Sequence, residues 1–178
     1  MNFGDRYIRF PLYLVDGFKA YEGDNYASDL QLALHKHENA GRRLTEKTDF
    51  CSFVYSNAQA APCREKMFEA LSWYQQVSSG GRYKNNIGGP VDDKLKFQRK
   101  HKFVIAFENT ATPGYTTEKI IGAFAAGAVP IYWGNPEITK EFNAGSFINC
   151  NDYGLTEKGE LEIIERIVQE VIRIDKDQ

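Results

Sequence analysis

The sequence predicts an α/β fold: a Rossmann-like parallel sheet with helices on both faces. Three observations lead there. Residues 50–56, 103–107 and 128–132 are short, continuous apolar runs, the pattern of strands buried on both faces. Between them lie stretches that open on helix-start residues, Pro62 and then Thr116 and Thr117. Alternation of the two is that of βαβ units, whose ligands gather at the carboxyl ends of the strands.

Residues 1–23 mix aromatics with charge around Pro11 and are expected to be extended or irregular. Leu30, Leu32, Ala33 and Leu34 give residues 27–36 a helical pattern, and the polar stretch 38–49 reads as loop. The chain therefore divides into an opening segment with a variable helix–loop over 1–49 and a Rossmann-like domain over 50–178. Strand 50–56 and loop 57–61 lead to a helix from Pro62 to about Tyr74. Residues 78–81 (Ser-Ser-Gly-Gly) read as a turn and 91–100 as a short helix. Strand 103–107 and loop 108–114 precede a helix over 117–127 that Thr116 can cap. Strand 128–132, a short helix over 136–142 and strand 146–149 follow. Leu161, Ile164, Ile167, Val168, Val171 and Ile172 form the apolar face of a last helix over 160–174.

A chain of 178 residues, 42% of them hydrophobic, can bury one good core. Its net charge of −2 gives no basic field for nucleic acid, so an anionic ligand must be held by a local constellation. Cys51, Cys63 and Cys150 have neither paired nor metal-type spacing and are expected to be reduced thiols in a cytoplasmic protein. The longest apolar stretch, 120–132, is broken by Gly122, Gly127 and Pro130 and is too short to span a bilayer. The start MNFGDRY has neither the basic residues nor the apolar run of a signal peptide. His35 and His37, at i and i+2, do not share a helix face and read as surface residues.

Two strand-to-helix crossings carry the same electrostatic oddity. Arg64 and Lys119 each fall in a helix's first turn, where the dipole disfavours a cation by roughly 0.3–1 kcal/mol. Backbone N–H groups at such places make an anion seat, and both cations would stand above the carboxyl ends of strands. Converging there, they could hold a diphosphate. Spacing alone leaves open the plainer reading of two surface cations beside Glu65 and Glu118. Glu118 is equally open: it complements the dipole as a first-turn carboxylate, or it orients a sugar hydroxyl and stabilises an oxocarbenium-like transition state. No Gly-x-Gly-x-x-Gly fingerprint or Walker loop points to a dinucleotide or P-loop protein.

Several separate blocks resemble the family 10 glycosyltransferases, the α-1,3/1,4-fucosyltransferases, and especially their bacterial members. They are Asp5 through Tyr13, the FVYSN block at 53–57, Arg64, the GGRYKNNIG block at 80–88, Phe107-Glu-Asn109, the YTTEKII block at 115–121, PIYWG at 130–134 and GSFI at 145–148. Residues 18–49 match poorly. The resemblance implies the C-terminal, donor-binding lobe of a GT-B glycosyltransferase. It assigns the donor diphosphate to Arg64 and Lys119 and places Asn109, Tyr115 and Glu118 around the fucose and its phosphates. Glu118 is also the catalytic transition-state stabiliser, and Lys84 and Asn85 lie near the nucleotide. The family's general base belongs to an acceptor lobe, so this chain offers no residue for that role.

The resemblance further implies GDP-fucose as donor substrate, with no obligatory cofactor and no metal. In the full protein the acceptor would be a GlcNAc-containing glycan, in a bacterium that of lipopolysaccharide or a capsule. A peripheral place at the inner face of a bacterial membrane and a homo-oligomer formed through the interlobe face stay open. Two alternatives also stand: a non-catalytic module binding GDP or a nucleotide sugar, and a glycosyltransferase lobe using another nucleotide sugar.

Overall fold

In a computed structural model of the chain, Leu12, Tyr13 and residues 47–177 are described. The predicted helix over 27–36 and the histidines beside it lie outside the described residues. Five strands, β1 (Asp49–Phe53), β2 (Val77–Ser79), β3 (His101–Phe107), β4 (Val129–Trp133) and β5 (Ile148–Asn149), form one sheet. All neighbours pair in parallel, in the order β2-β1-β3-β4-β5. Among the described residues, the helices α1 (Pro62–Tyr74), α2 (Lys94–Gln98), α3 (Glu118–Ala125) and α4 (Leu161–Lys176) connect or cover them. The strand order reverses direction between β1 and β3, which makes their carboxyl ends the topological switch point where ligands bind.

The two sheet faces differ in bulk. Phe103, Ile105 and Phe107 of β3 join Met67 and Leu71 of α1 and Ile164, Ile167 and Val171 of α4 in one core. The alternate residues Val104 and Ala106 face Ala123, Ile120 and Phe124 of α3. Small residues on that side let α3 approach the sheet closely. Burying each large apolar side chain contributes about 1.5–3 kcal/mol, so both faces are needed to offset chain entropy. At the amino ends of the strands, Asp175 of α4 accepts from Tyr74 Oη at 2.9 Å and pairs with Lys102 Nζ at 2.7 Å, tying α1, α4 and β3 together.

Helix α1 has the predicted limits, with Pro62 at its start. Other elements depart from expectation for physical reasons. β1 ends at Phe53 and does not run to Ser56, because Gly81 lies against the Tyr55 backbone; a Cβ there would meet Tyr55 O at 1.9 Å. Ser78 and Ser79 belong to a strand, not a turn. The outer edge of that strand is held by one side chain: Asn86 Oδ1 accepts from Ser79 N at 2.7 Å and its Nδ2 donates to Val77 O at 2.8 Å.

The short helix α2 begins at Lys94, where Asp93 caps it by accepting from Lys96 N at 2.8 Å. Residues 136–142 contain only a 3-10 turn, Ile138–Lys140, and the fourth predicted strand shrinks to β5. In α4 the buried stripe starts one turn in, at Ile164, and Leu161 is 67% exposed. Leu12 and Tyr13 are helical, not extended. Tyr13 N donates to Thr116 O at 3.3 Å and its ring meets Phe142 at 5.5 Å.

Candidate functional site

Pro62 starts α1 directly beyond the β1 loop, so Arg64 falls over the switch point. It is only 2% exposed. Its guanidinium lies 4.3 Å from the Tyr55 ring centre and 5.8 Å from that of Tyr83. Nη2 donates to Asn57 O at 2.5 Å, and Nη1 reaches Asn109 Oδ1 at a long 3.4 Å. Burial lowers its pKa from the ordinary arginine value. The Tyr55 hydroxyl fixes the platform beneath it: it accepts from Phe107 N at 2.7 Å and lies 2.9 Å from Ile105 O and 3.0 Å from Phe107 O. One side chain thus joins the ends of β1 and β3.

The start of α3 is organised by Glu108, which has no exposed surface. Its carboxylate accepts from Thr117 N at 2.7 Å, Thr117 Oγ1 at 2.7 Å and Lys119 Nζ at 3.0 Å. Thr117, not Thr116, occupies the cap position, and its hydroxyl turns to Glu108 and caps no helix N–H. Part of the expected anion seat is therefore filled by the chain's own carboxylate. At α1 a carbonyl does the same: Cys63 N donates to Glu157 O at 3.0 Å. Lys119 Nζ also donates to Thr117 Oγ1 at 3.0 Å, so two of its three N–H groups are committed and the ammonium is held in place. Glu118 is half-buried, and among the described residues nothing hydrogen-bonds or ion-pairs with it.

Gly134 makes this arrangement possible. Its φ is 151°, and a Cβ there would meet Glu108 Cγ at 2.4 Å and Cβ at 2.7 Å. Asn135, fully buried, then holds the loop before α3. Its Oδ1 accepts from Gly114 N at 2.9 Å, and its Nδ2 donates to Thr116 Oγ1 at 3.0 Å. That loop carries Asn109, which is exposed, and the half-buried Tyr115. Arg64, Asn109, Tyr115, Glu118 and Lys119 therefore belong to one group of loops at the carboxyl ends of β1 and β3.

Lys84 and Asn85 stand differently. Lys84 adopts a φ of 50° and pairs with Glu65 at 2.5 Å and Glu69 at 2.7 Å on the exposed side of α1, and these bonds raise its pKa. Asn85 Nδ2 donates to Gly81 O and Gly89 O, both at 2.8 Å, closing the loop after β2 on itself. Both side chains are occupied in building that loop.

Glu108, Tyr55 and Asn135 escaped the sequence reading as site residues. The signal for Glu108 was present: a carboxylate directly after a buried strand, one residue short of the conspicuous Asn109. The three cysteines are free and buried, and burial pushes Cys63 up to about 12, so none is a ready nucleophile. Among the described residues, no three His, Cys, Asp or Glu side chains cluster so as to hold a metal, and no helix is long and apolar enough to cross a membrane.

Residues 44–167 match the model of glycosyltransferase family 10 (fucosyltransferase), C-terminal part. An alpha-(1,3)-fucosyltransferase of Helicobacter pylori is 37% identical over 173 residues, covering 86% of this chain and 36% of that protein. A putative fucosyltransferase of Acanthamoeba polyphaga mimivirus is 32% identical over 136 residues, covering 70% of this chain and 22% of its own length. The crystal structure of an α1,3-fucosyltransferase with GDP-fucose superposes with a TM-score of 0.72 at 29% identity, over 97% of this chain and 54% of that one. This chain thus spans about a third to a half of these two α1,3-fucosyltransferases. The switch-point architecture and these likenesses agree: the chain belongs to glycosyltransferase family 10 and carries the Rossmann-like C-terminal fold of its fucosyltransferases.

Proposed function

We propose that this lobe binds GDP-fucose at the β1/β3 switch point, as the donor side of an inverting α-1,3-fucosyl transfer to a GlcNAc-containing glycan. The observation that carries the reading is the placing of Arg64 and Lys119 at the starts of two helices beside the same strand end. Arg64 presents a planar fork, and its long bond to Asn109 is readily exchanged for a phosphate oxygen. Lys119, oriented by Glu108 and Thr117, offers its remaining N–H to the second phosphate.

Asn109 and Tyr115 lie on the loop between these cations and contact the sugar and its phosphates. Lys84 and Asn85 act on the nucleotide by shaping the loop after β2. As the glycosidic bond breaks, negative charge grows on the departing GDP and positive charge on the sugar ring. Arg64 and Lys119 stabilise the first, and the Glu118 carboxylate the second. Inversion requires a base on the opposite face of the sugar, which we do not assign to any residue of this chain.

Titration calorimetry with GDP-fucose, GDP, UDP and NAD tests the ligand. GDP and GDP-fucose are expected to bind; binding of UDP without GDP would sink the assignment. Arg64→Ala and Lys119→Ala are each expected to weaken GDP by about 10–100-fold, the worth of one charge-assisted hydrogen bond. Unchanged affinity in both would remove the diphosphate role. The transfer step is tested in a protein containing this lobe: the anomeric configuration of the product, read by NMR, must be inverted relative to the donor.

A further inference from the structure

One cation near this site remains unexplained. Lys94 opens α2, which packs against α3. Leu95 lies on Val104, Ala123, Ala126 and Ala128. Gln98 faces Gly122, where an added Cβ would sit 3.7 Å from Gln98 Oε1. Lys94 is one helical turn before Gln98, and Glu118 is one turn before Gly122. Residues four apart share a helix face, which points from the Gln98–Gly122 contact toward Lys94 and Glu118, and Glu118, Lys119 and Glu108 are the charges that act on Lys94. Lys94 is half-buried, yet among the described residues no hydrogen bond or ion pair within 4.0 Å engages its ammonium.

Among the described residues, no carboxylate pairs with it. Glu108 already takes three donors, from Thr117 and Lys119, and reaches Lys94 only through space. Glu118 is the strongest charged neighbour of Lys94 but forms no ion pair with it, and Lys119 opposes it. Withdrawal from water pulls the lysine below its ordinary pKa. Placing an ammonium in such surroundings without a counter-ion is unfavourable in the free protein. A ligand anion would remove that penalty.

We propose that Lys94 is a third cation of the nucleotide site and contacts a diphosphate oxygen of the bound nucleoside diphosphate. The proposal rests on the donor-site reading above. Arg64 is held by Asn57 and stacked on Tyr55, and Lys119 shares its charge with Glu108. Lys94 is the member of the three without an ion-pair or hydrogen-bond partner among the described residues, so its N–H groups are open to the ligand.

The test is calorimetry of wild type, Lys94→Met and Lys94→Arg with GDP and with guanosine, with melting curves to confirm folding. Methionine keeps the apolar stem and removes the charge. Lys94→Met is expected to weaken GDP by ten-fold or more and leave guanosine within two-fold; Lys94→Arg should retain most GDP affinity. Equal losses for GDP and guanosine, or unchanged GDP affinity, would overturn the proposal. If Lys94→Met does not fold, Lys94→Gln and the salt dependence of GDP affinity in wild type and Lys94→Arg replace it. Wild type that binds no GDP overturns the donor-site reading itself. Wild type that binds GDP, with Lys94→Met binding equally well, overturns the role of Lys94 alone.

Discussion

A fully buried carboxylate with three donors decides how the cations beside it behave. Glu108 holds the first amide of the α3 region and orients Lys119, so any effect of it on the proposed ligand passes through that lysine. Glu108→Gln keeps one acceptor oxygen but leaves Lys119 without its counter-charge. A loss of about 1–3 kcal/mol in stability is expected in urea denaturation. Glu118 should behave in the opposite way, because no described residue hydrogen-bonds or ion-pairs with its carboxylate. In an active protein containing this lobe, Glu118→Gln is expected to keep GDP affinity within a few-fold while lowering kcat by about 100-fold or more. Equal loss of both would mark it as a structural residue.

Arg64 and Lys119 were legible because a cation in a helix's first turn runs against the dipole and asks for a reason. Glu108 carried a signal too, a carboxylate directly after a buried strand, but it also looks like the first residue of a loop and so was passed over. Lys94 was not legible, since its meaning depends on α2 lying along α3.

At the scale of elements, β1, β3 and β4 are pinned to one another at their carboxyl ends by Tyr55 and Gly134. Tyr55→Phe removes the acceptor for Phe107 N, and about 1–3 kcal/mol of stability should be lost with that amide left buried and unpaired. Donor binding should fall as well, since Arg64 lies on that ring. Gly134→Ala drives a Cβ into Glu108. A melting temperature lowered by several degrees is expected, together with weakened GDP binding; an unchanged melting curve would refute the close approach. The PIYWG block was legible as a motif, but its final glycine acquires a reason only when β4 is set against Glu108. Helix α1 and strand β3 could be read directly, from Pro62 and from an unbroken apolar run. β2 could not, because three residues with one apolar side chain carry no period.

Across the whole molecule, the proposed nucleotide site and the titrating histidine lie at opposite ends of the sheet. Saturating nucleotide should stabilise the fold by about 2.7 kcal/mol at a hundred times Kd, visible as a concentration-dependent melting temperature. His101, at the amino end of β3, is fully buried with Nδ1 2.9 Å from Phe97 O and, among the described residues, no hydrogen bond to Nε2. Burial lowers its pKa from 6.5; the hydrogen bond to the Phe97 carbonyl and Asp49, with an oxygen 3.9 Å away, work against that, while Lys47 and Lys100 add to it. The unfolded chain then takes up a proton more readily than the folded one. Stability is accordingly present above the unfolded value and is lost as pH falls below about 6.5. Melting curves of wild type between about pH 5 and 8 should show this decline, and His101→Gln should flatten it.

The side chain of Asn86 has a consequence for how these molecules behave in company. By satisfying Ser79 N and Val77 O, it stands where the next strand of a neighbouring chain would have to dock. The sheet cannot be extended on that side without first expelling an amide that already makes both bonds. The opposite border, β5, is only two residues long and offers little to a newcomer. A sheet assembled from short parallel strands is thereby kept from templating its own aggregation, with Asn86 guarding one margin and brevity the other.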